Sequence, residues 1–279
     1  MILIRGMTRE DRPLGLELVR RAGWNQTAQD WIRFTELQPD GCFVAGLDES
    51  AVATLTTCIF GPVAWVAMVL VDPAMRGRGI GRALMARAIE FLEGRGVRTI
   101  RLDATPAGRG LYERLGFVGE YRLARFEGTP EVVGVRKPGG SFDPALLDGV
   151  ADLDHSVTGI RRGRLLNRLA ADHPERVRIA TRDGVEVDGY LMERPGLHAS
   201  QIGPCIARRG VGAALLAEAL TGHSGQPVFV DIPAGNEAST SLASARGLTI
   251  QRNFMRMSRG ETVADEPRAI WASFGPEMG

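Results

Sequence analysis

Two stretches of this chain echo one another. Pro73 to Leu84 reads Pro-Ala-Met-Arg-Gly-Arg-Gly-Ile-Gly-Arg-Ala-Leu, and Pro204 to Leu215 reads Pro-Cys-Ile-Ala-Arg-Arg-Gly-Val-Gly-Ala-Ala-Leu. Gly79 falls on Gly210, Gly81 on Gly212 and, further along, Gly116 on Gly247, all at one shift of 131 residues. Three landmarks at one offset indicate an internal repeat. At 279 residues the chain is long enough for two domains of that size. The expected organisation is a domain over residues 1–136, a linker over 137–144 around Pro-Gly-Gly-Ser, and a second domain over 145–279.

The first copy of the echo is built to hold an anion. It follows an apolar, β-favouring run, Val63 to Val71, and precedes a helical pattern with Leu84, Ala88, Phe91 and Leu92 on one face. Gly77, Gly79 and Gly81 let backbone approach a ligand closely. The unpaired N–H groups and positive dipole of the helix start then face a phosphate. Arg76, Arg78 and Arg82 add charge suited to a pyrophosphate. A dinucleotide fingerprint is excluded because the glycines fall at 77, 79 and 81 with Arg at 82, and a Walker loop because no Gly-Lys-Ser/Thr follows.

Elements alternate through the first half. Ile2 to Met7 reads as a strand, Thr8 with Asp11 as the cap of a helix running through Arg21, and Ala28 to Leu37 as a second helix. Gly41 to Leu47 and Ser50 to Phe60 form a strand pair around Asp48-Glu49. After Val63 to Val71 come a helix to Glu93, a strand over Thr99 to Ala104, a short helix over Gly110 to Leu115, and a strand over Phe117 to Glu127.

A second motif lies downstream, at residues 111–117: Leu-Tyr-Glu-Arg-Leu-Gly-Phe. With Arg76, Gly79 and Gly81 filling the fixed positions of Gln/Arg-x-x-Gly-x-Gly/Ala, and Tyr112 placed 31 residues after Gly81, the first half resembles the GNAT N-acetyltransferases. That resemblance covers residues 1 to about 130. It implies a mixed α/β fold, with the second half a further, degenerate GNAT fold: Arg76 becomes Ala207 and Tyr112 becomes Ala243 at the shift of 131. The second half also resembles the C-terminal domain of the YitH-like tandem acetyltransferases.

The resemblance implies acetyl-CoA as co-substrate and no metal. Val69, Leu70 and Val71 would pair with the pantetheine arm. The backbone of Arg76, Gly77, Arg78, Gly79, Ile80, Gly81 and Arg82 would hold the pyrophosphate. Thr105 stands where the family often has an Asn touching the coenzyme. Tyr112 would act as general acid on the leaving sulfur, whose thiol has an ordinary pKa near 8.5 against about 10 for a phenol. Asp103 is the candidate base, and its other reading is a solvated strand-end carboxylate. Trp24, Asn25, Gln26 and Trp31 border the acceptor in this family, and read as residues alone they fit a packed helix hairpin equally well.

Composition narrows the rest. A hydrophobic fraction of 44% and a net charge of +1 suit a globular protein and give no field for nucleic acid or a membrane. Cys42, Cys58 and Cys205 are an odd number without metal-ligand spacing, and are expected as buried free thiols. His155, His173, His198 and His223 likewise lack metal spacing and are expected in surface or structural roles. With no signal peptide or long apolar run, the expected location is the cytoplasm. The expected activity is transfer of an acetyl group to the primary amine of a small molecule, by a monomer or homodimer. The alternatives are a non-catalytic acyl-CoA-binding protein, another acyl group, or protein N-termini as acceptor.

Overall fold

The computed structural model describes residues 1–47, 50–131, 142–208 and 210–279. The Asp48-Glu49 turn and the Pro-Gly-Gly-Ser stretch of the expected linker lie outside them. The chain divides into two compact units. The first holds residues 1–119, 257–262 and 278; the second holds 120–256, 263–277 and 279. Each unit thus takes in a segment from the far half of the sequence.

The first unit runs β1 (Ile2–Gly6), α1 (Arg12–Ala22), α2 (Ala28–Leu37), β2 (Cys42–Leu47), β3 (Ser50–Phe60), β4 (Val63–Val71), α3 (Ile80–Glu93), β5 (Thr99–Ala104) and α4 (Pro106–Glu113). Strands β1 to β4 pair antiparallel in sequence order, with Ile4 opposite Ala45, Val44 opposite Thr54 and Thr57 opposite Val66. β5 joins β4 in parallel. Residues 257–262 complete the unit beside β5, where the Thr99 hydroxyl donates to the Glu261 carbonyl at 2.8 Å.

Local chemistry sets these boundaries. Thr8 and Asp11 cap one another before α1, the Thr8 N–H donating to the Asp11 carboxylate at 2.8 Å; Thr27 and Asp30 do the same before α2 at 2.7 Å. The core beneath the helices is Val19, Trp31, Phe34, Leu55, Ala64, Leu84 and Leu92, none of them exposed. The fourth helix begins at Pro106, not at Gly110 as the spacing suggests. Proline at the first helical position and the Thr105 hydroxyl, which accepts from the Gly108 N–H at 3.3 Å, outweigh the low propensity of Gly108 and Gly110.

The second unit begins within β6 (Val118–Gly128) and continues with α5 (Leu147–Thr158), α6 (Gly163–Asp172), β7 (Val177–Arg182), β8 (Glu186–Arg194), β9 (Ser200–Ala207), α7 (Val211–Gly222), β10 (Val228–Pro233), α8 (Glu237–Ala245), β11 (Thr249–Gly260) as far as Arg256, and β12 (Ile270–Ala272). Its strand order is β6-β10-β9-β8-β7, with β12 added on β9. β6 lies antiparallel to β10, and across that pair Arg125 grips Asp231 with two hydrogen bonds of 2.8 and 2.7 Å. Both side chains are buried, so the bidentate geometry offsets a desolvation cost that a lone charge would carry. Asp154 is likewise held between Arg162 and the Tyr190 hydroxyl.

Candidate functional site

The site starts from a defect in a strand. Between Thr54–Leu70 and Thr56–Ala67 the β3–β4 register shifts, so two β4 residues, Met68 and Val69, stand against one of β3. Met68 takes φ 51°, and its carbonyl accepts a hydrogen bond of 3.0 Å from the buried Thr54 hydroxyl. A bulge bends its strand and breaks the ladder. On the other edge of β4 the parallel pairing with β5 covers only Val63–Thr99, Ala64–Ile100 and Trp65–Arg101. Beyond those pairs the strands diverge in a V, and the β5-facing backbone up to Val71 has no ladder partner among the described residues.

The V opens into a cleft of about 370 Å³ lined by Val71, Met75, Arg76, Gly77, Gly79, Ile80, Gly81, Arg82, Leu111, Arg114 and Leu115. Gly77 and Gly79 hold φ 76° and 80°, left-handed values that cost an L-residue about 1–2 kcal/mol. They turn the chain so that α3 starts with its free N–H groups on the cleft. The loop before it is pinned. Asp72 accepts from the Ala74 N–H at 3.0 Å and from Arg21 at 2.8 Å, and Arg76 Nε donates to the Val71 carbonyl at 3.3 Å. A concave surface with unpaired N–H donors, a helix N-terminus and arginines has the chemistry that suits an anionic ligand.

Tyr112 stands on α4, the helix that supplies Leu111 to the cleft wall. Its ring meets Phe117 edge-on at 6.0 Å and lies over Gly108, where a Cβ would come within 3.1 Å of it. Its hydroxyl makes no hydrogen bond among the described residues. Tyr112 is half-buried, and burial pushes its phenol up to about 12. The hydroxyl therefore stays protonated across the physiological range, as a proton donor must.

The other expected residues are placed as follows. Val71, Arg76, Gly77, Gly79, Ile80, Gly81 and Arg82 line the cleft. Val69 and Leu70 are in the bulged end of β4. Arg78 is exposed beside the cleft, and Thr105 caps α4 with its hydroxyl oxygen. Asp103 is half-buried near the end of β5. Trp24 is half-buried, whereas Asn25 and Gln26 are buried. Trp31 is a correction. It is fully buried, with Gly15 of α1 pressed on its indole so closely that a Cβ would lie 2.6 Å away, so it is core and not pocket lining. The indole's apolar bulk at a helix crossing outweighs its position near the α1–α2 break.

Sequence reasoning missed Met75, Leu111, Leu115 and Arg114. The signal was there: 111, 114 and 115 are spaced i, i+3, i+4, the spacing of one helical face.

The second unit repeats this plan and fills it. β9 and β10 pair in parallel over Ser200–Val228, Gln201–Phe229 and Val230–Ile202 only, then diverge. A bulge again sits in the middle strand, at Gly203 with φ 134°. Into this V the chain lays its own β12. Ile270 and Ala272 pair with Ile206 and Cys205 of β9, and Ser273 donates to Asp231 of β10 at 2.7 Å. On α8, Ser239 donates to the Trp271 carbonyl at 2.6 Å, and Asn236 donates to the carbonyls of Arg268 and Ile270, each at 3.0 Å. The Trp271 indole covers Gly212, where a Cβ would stand 2.2 Å from Nε1.

The echo itself is therefore only partly structural. Gly79 and Gly210 are both left-handed caps, at φ 80° and 81°, and Gly116 and Gly247 both turn after a helix. Residues 204–207, however, equated by sequence with the Pro73–Arg76 loop, are buried strand within β9. In the second unit the loop is shorter and the strand reaches nearer the helix, which a fixed shift cannot reveal.

All three cysteines are buried thiols outside any disulfide. His223 is buried against Glu193, Nε2 to Oε2 at 2.6 Å. No helix among the described residues is long and apolar enough to cross a membrane.

Comparison with known proteins agrees with this plan. The profile described as "Acetyltransferase (GNAT) family" matches residues 10–117, and that described as "Acetyltransferase (GNAT) domain" matches residues 150–272. The uncharacterized N-acetyltransferase YitH of Bacillus subtilis (strain 168) is 24% identical over 78% of this chain and 77% of its own length. Serotonin N-acetyltransferase 2, chloroplastic, of Oryza sativa subsp. japonica is 44% identical over 59 residues, 21% of this chain. The matched stretch spans only 28% of that relative. Among solved structures, a candidate acetyltransferase of Pyrococcus horikoshii superposes over 100% of this chain and 96% of its own, with a TM-score of 0.83 at 24% identity.

Proposed function

From the premise that the chain belongs to the GNAT acetyltransferase family, with two copies of the fold, we propose that it is an acetyl-CoA-dependent N-acetyltransferase acting on the primary amine of a small molecule. The observation that carries this is the continuity of the first unit's open V with the glycine-rich cleft, with the unengaged Tyr112 hydroxyl on the helix that walls it. Pantetheine would lie along Val69 to Val71 as an added strand, and the pyrophosphate on the N–H groups of Gly77 to Arg82. The second unit supports this reading from within the chain. There, residues just past the equivalent bulge, Cys205 and Ile206, take a strand partner.

The reaction needs no covalent enzyme intermediate. The amine nitrogen attacks the thioester carbonyl, a carbon–nitrogen bond forms and the carbon–sulfur bond breaks. The amine loses one proton, to Asp103 or to water. The sulfur leaves with a proton from Tyr112, which regains one from solvent. A backbone N–H near Leu70 holds the transient oxyanion. Trp24 and Asn25 on the α1–α2 connection would border the acceptor.

The test is coenzyme A release from acetyl-CoA across a panel of amino acids, polyamines, aminoglycosides and peptide N-termini, with Tyr112→Phe run beside the parent. Release that depends on one small-amine class and on Tyr112 supports the proposal. Release with peptide N-termini alone replaces the acceptor. Tight acetyl-CoA binding with no amine-dependent release in any class contradicts the enzyme reading and favours a binding protein.

A further inference from the structure

The bulge of β4 is held by one hydroxyl. Thr54 of β3 is wholly buried, and its Oγ1 donates to the Met68 carbonyl at 3.0 Å. Met68 is a non-glycine residue at positive φ, a conformation that persists only where its surroundings impose it. A peptide unit is planar and trans, so its C=O and N–H point in opposite directions. With the Met68 carbonyl drawn toward Thr54 on β3, the Val69 N–H is turned away from β3, toward the side on which β4 and β5 diverge. The second unit has the same two-against-one register and treats it differently. There Gly203 stands in the place of Met68, and Leu191, without a hydroxyl, in the place of Thr54. Glycine takes its φ of 134° unaided. Pro204, which has no N–H to aim, stands in the place of Val69. The hydroxyl and the donor that it orients thus occur together, in the unit whose V is open.

We propose that Thr54 is a positioning residue for acyl transfer: its hydroxyl fixes the Met68–Val69 peptide so that the Val69 N–H meets the thioester carbonyl oxygen as the amine adds to its carbon. The inference rests on the transferase reading above and names the side chain that prepares the oxyanion donor. Charge grows on that oxygen only as the carbon–nitrogen bond forms. A fixed N–H there therefore acts on the transition state far more than on the bound coenzyme. A peptide free to rotate would have to be ordered in every turnover. Thr54 is itself enclosed, and it acts only through the backbone of Met68 and Val69.

Steady-state release of coenzyme A from acetyl-CoA, with the panel amine that gives the fastest rate, tests it on the full chain in the parent, Thr54→Val, Thr54→Ser and Thr57→Val. Thr57 is the matched control: it too is buried on β3, and its hydroxyl donates to a backbone carbonyl, that of Gly41, at 2.8 Å. Each valine variant removes one buried side-chain hydrogen bond, so both are expected to lower the thermal midpoint. Only Thr54→Val is expected to lower kcat, by about 10–100-fold, with acetyl-CoA affinity by calorimetry moving less than about threefold. Thr54→Ser keeps the hydroxyl and is expected to recover most of kcat. Rates are compared below the lowest midpoint, and Thr54→Ala stands in for a valine variant that does not fold. An unchanged kcat in Thr54→Val, an equal loss in Thr57→Val, or a loss that Thr54→Ser does not relieve overturns the proposal. A parent without amine-dependent release overturns the transferase reading itself, so the two failures are distinguishable.

Discussion

Gly81 and Gly212 are the second residues of α3 and α7, and replacing each by alanine should affect stability differently. The gain in helix propensity is common to both and cancels in the comparison. What differs is the space. A Cβ at Gly81 would have its nearest neighbours, Leu111 and Val71, at 3.7 Å, ordinary contact. A Cβ at Gly212 would stand 2.2 Å from Trp271 Nε1, 2.3 Å from Cε2 and 2.4 Å from Cδ1. The indole cannot simply retreat, because the Trp271 carbonyl is held by Ser239 and its strand is paired to β9. Overpacking of this kind costs about 1–3 kcal/mol. Gly212→Ala should therefore melt roughly 2–12 °C below Gly81→Ala, at about 2–4 °C per kcal/mol for a unit of this size. Coenzyme affinity should hold in both, because position 81 takes Gly or Ala in the motif and Gly212 lies in the groove that β12 fills. Thermal unfolding followed by circular dichroism, with acetyl-CoA titrations of both variants, reads the two effects. Equal stabilities, or coenzyme binding weakened by Gly212→Ala, would refute the reasoning.

Other substitutions follow from the same geometry. Tyr112→Phe removes a hydroxyl that makes no internal hydrogen bond, so stability and coenzyme affinity should hold while kcat falls by about 10²–10⁴. An unchanged kcat would remove Tyr112 from the chemistry. With its phenol pushed up to about 12, Tyr112 should contribute no descending limb to the pH–rate profile below about pH 11. A limb lost in Tyr112→Phe at lower pH would contradict that. Trp31→Ala should destabilise the protein by about 3–5 kcal/mol in denaturant unfolding, because its side chain is wholly enclosed. A stable variant altered only in acceptor KM would return Trp31 to the pocket. Asp11 is held below the usual carboxylate range first by its hydrogen bonds to Arg5. Its stabilising contribution should be full above the unfolded value near 4 and lost as pH falls through the lower folded value. Asp11→Asn should accordingly flatten the acid limb of the stability curve.

Much of the first unit was legible in the sequence because its signals are local. Caps such as Thr8 with Asp11 act within four residues, and the apolar face of α3 follows from a period that needs no tertiary information. The tight turn before α3 could be read from its glycines because the left-handed values at 77 and 79 disfavour other residues. What escaped depends on contacts distant in sequence. Trp31 lies in the core because Gly15, sixteen positions earlier, makes room for its indole. Arg114 joins the cleft only because α4 folds against the start of α3. In the second unit the strand that fills the V comes from residues 270–273, more than sixty positions after the β9 residues it pairs with. The shift of 131 marked where that unit turns, but it could not show that residues 204–207 are strand.

The most direct measurement is calorimetric titration of acetyl-CoA into the parent chain and into Gly81→Leu. An open cleft in the first unit and a strand-filled groove in the second predict one site per chain, abolished by a leucine side chain at position 81. Two sites, no site, or a single site that survives Gly81→Leu would contradict the account.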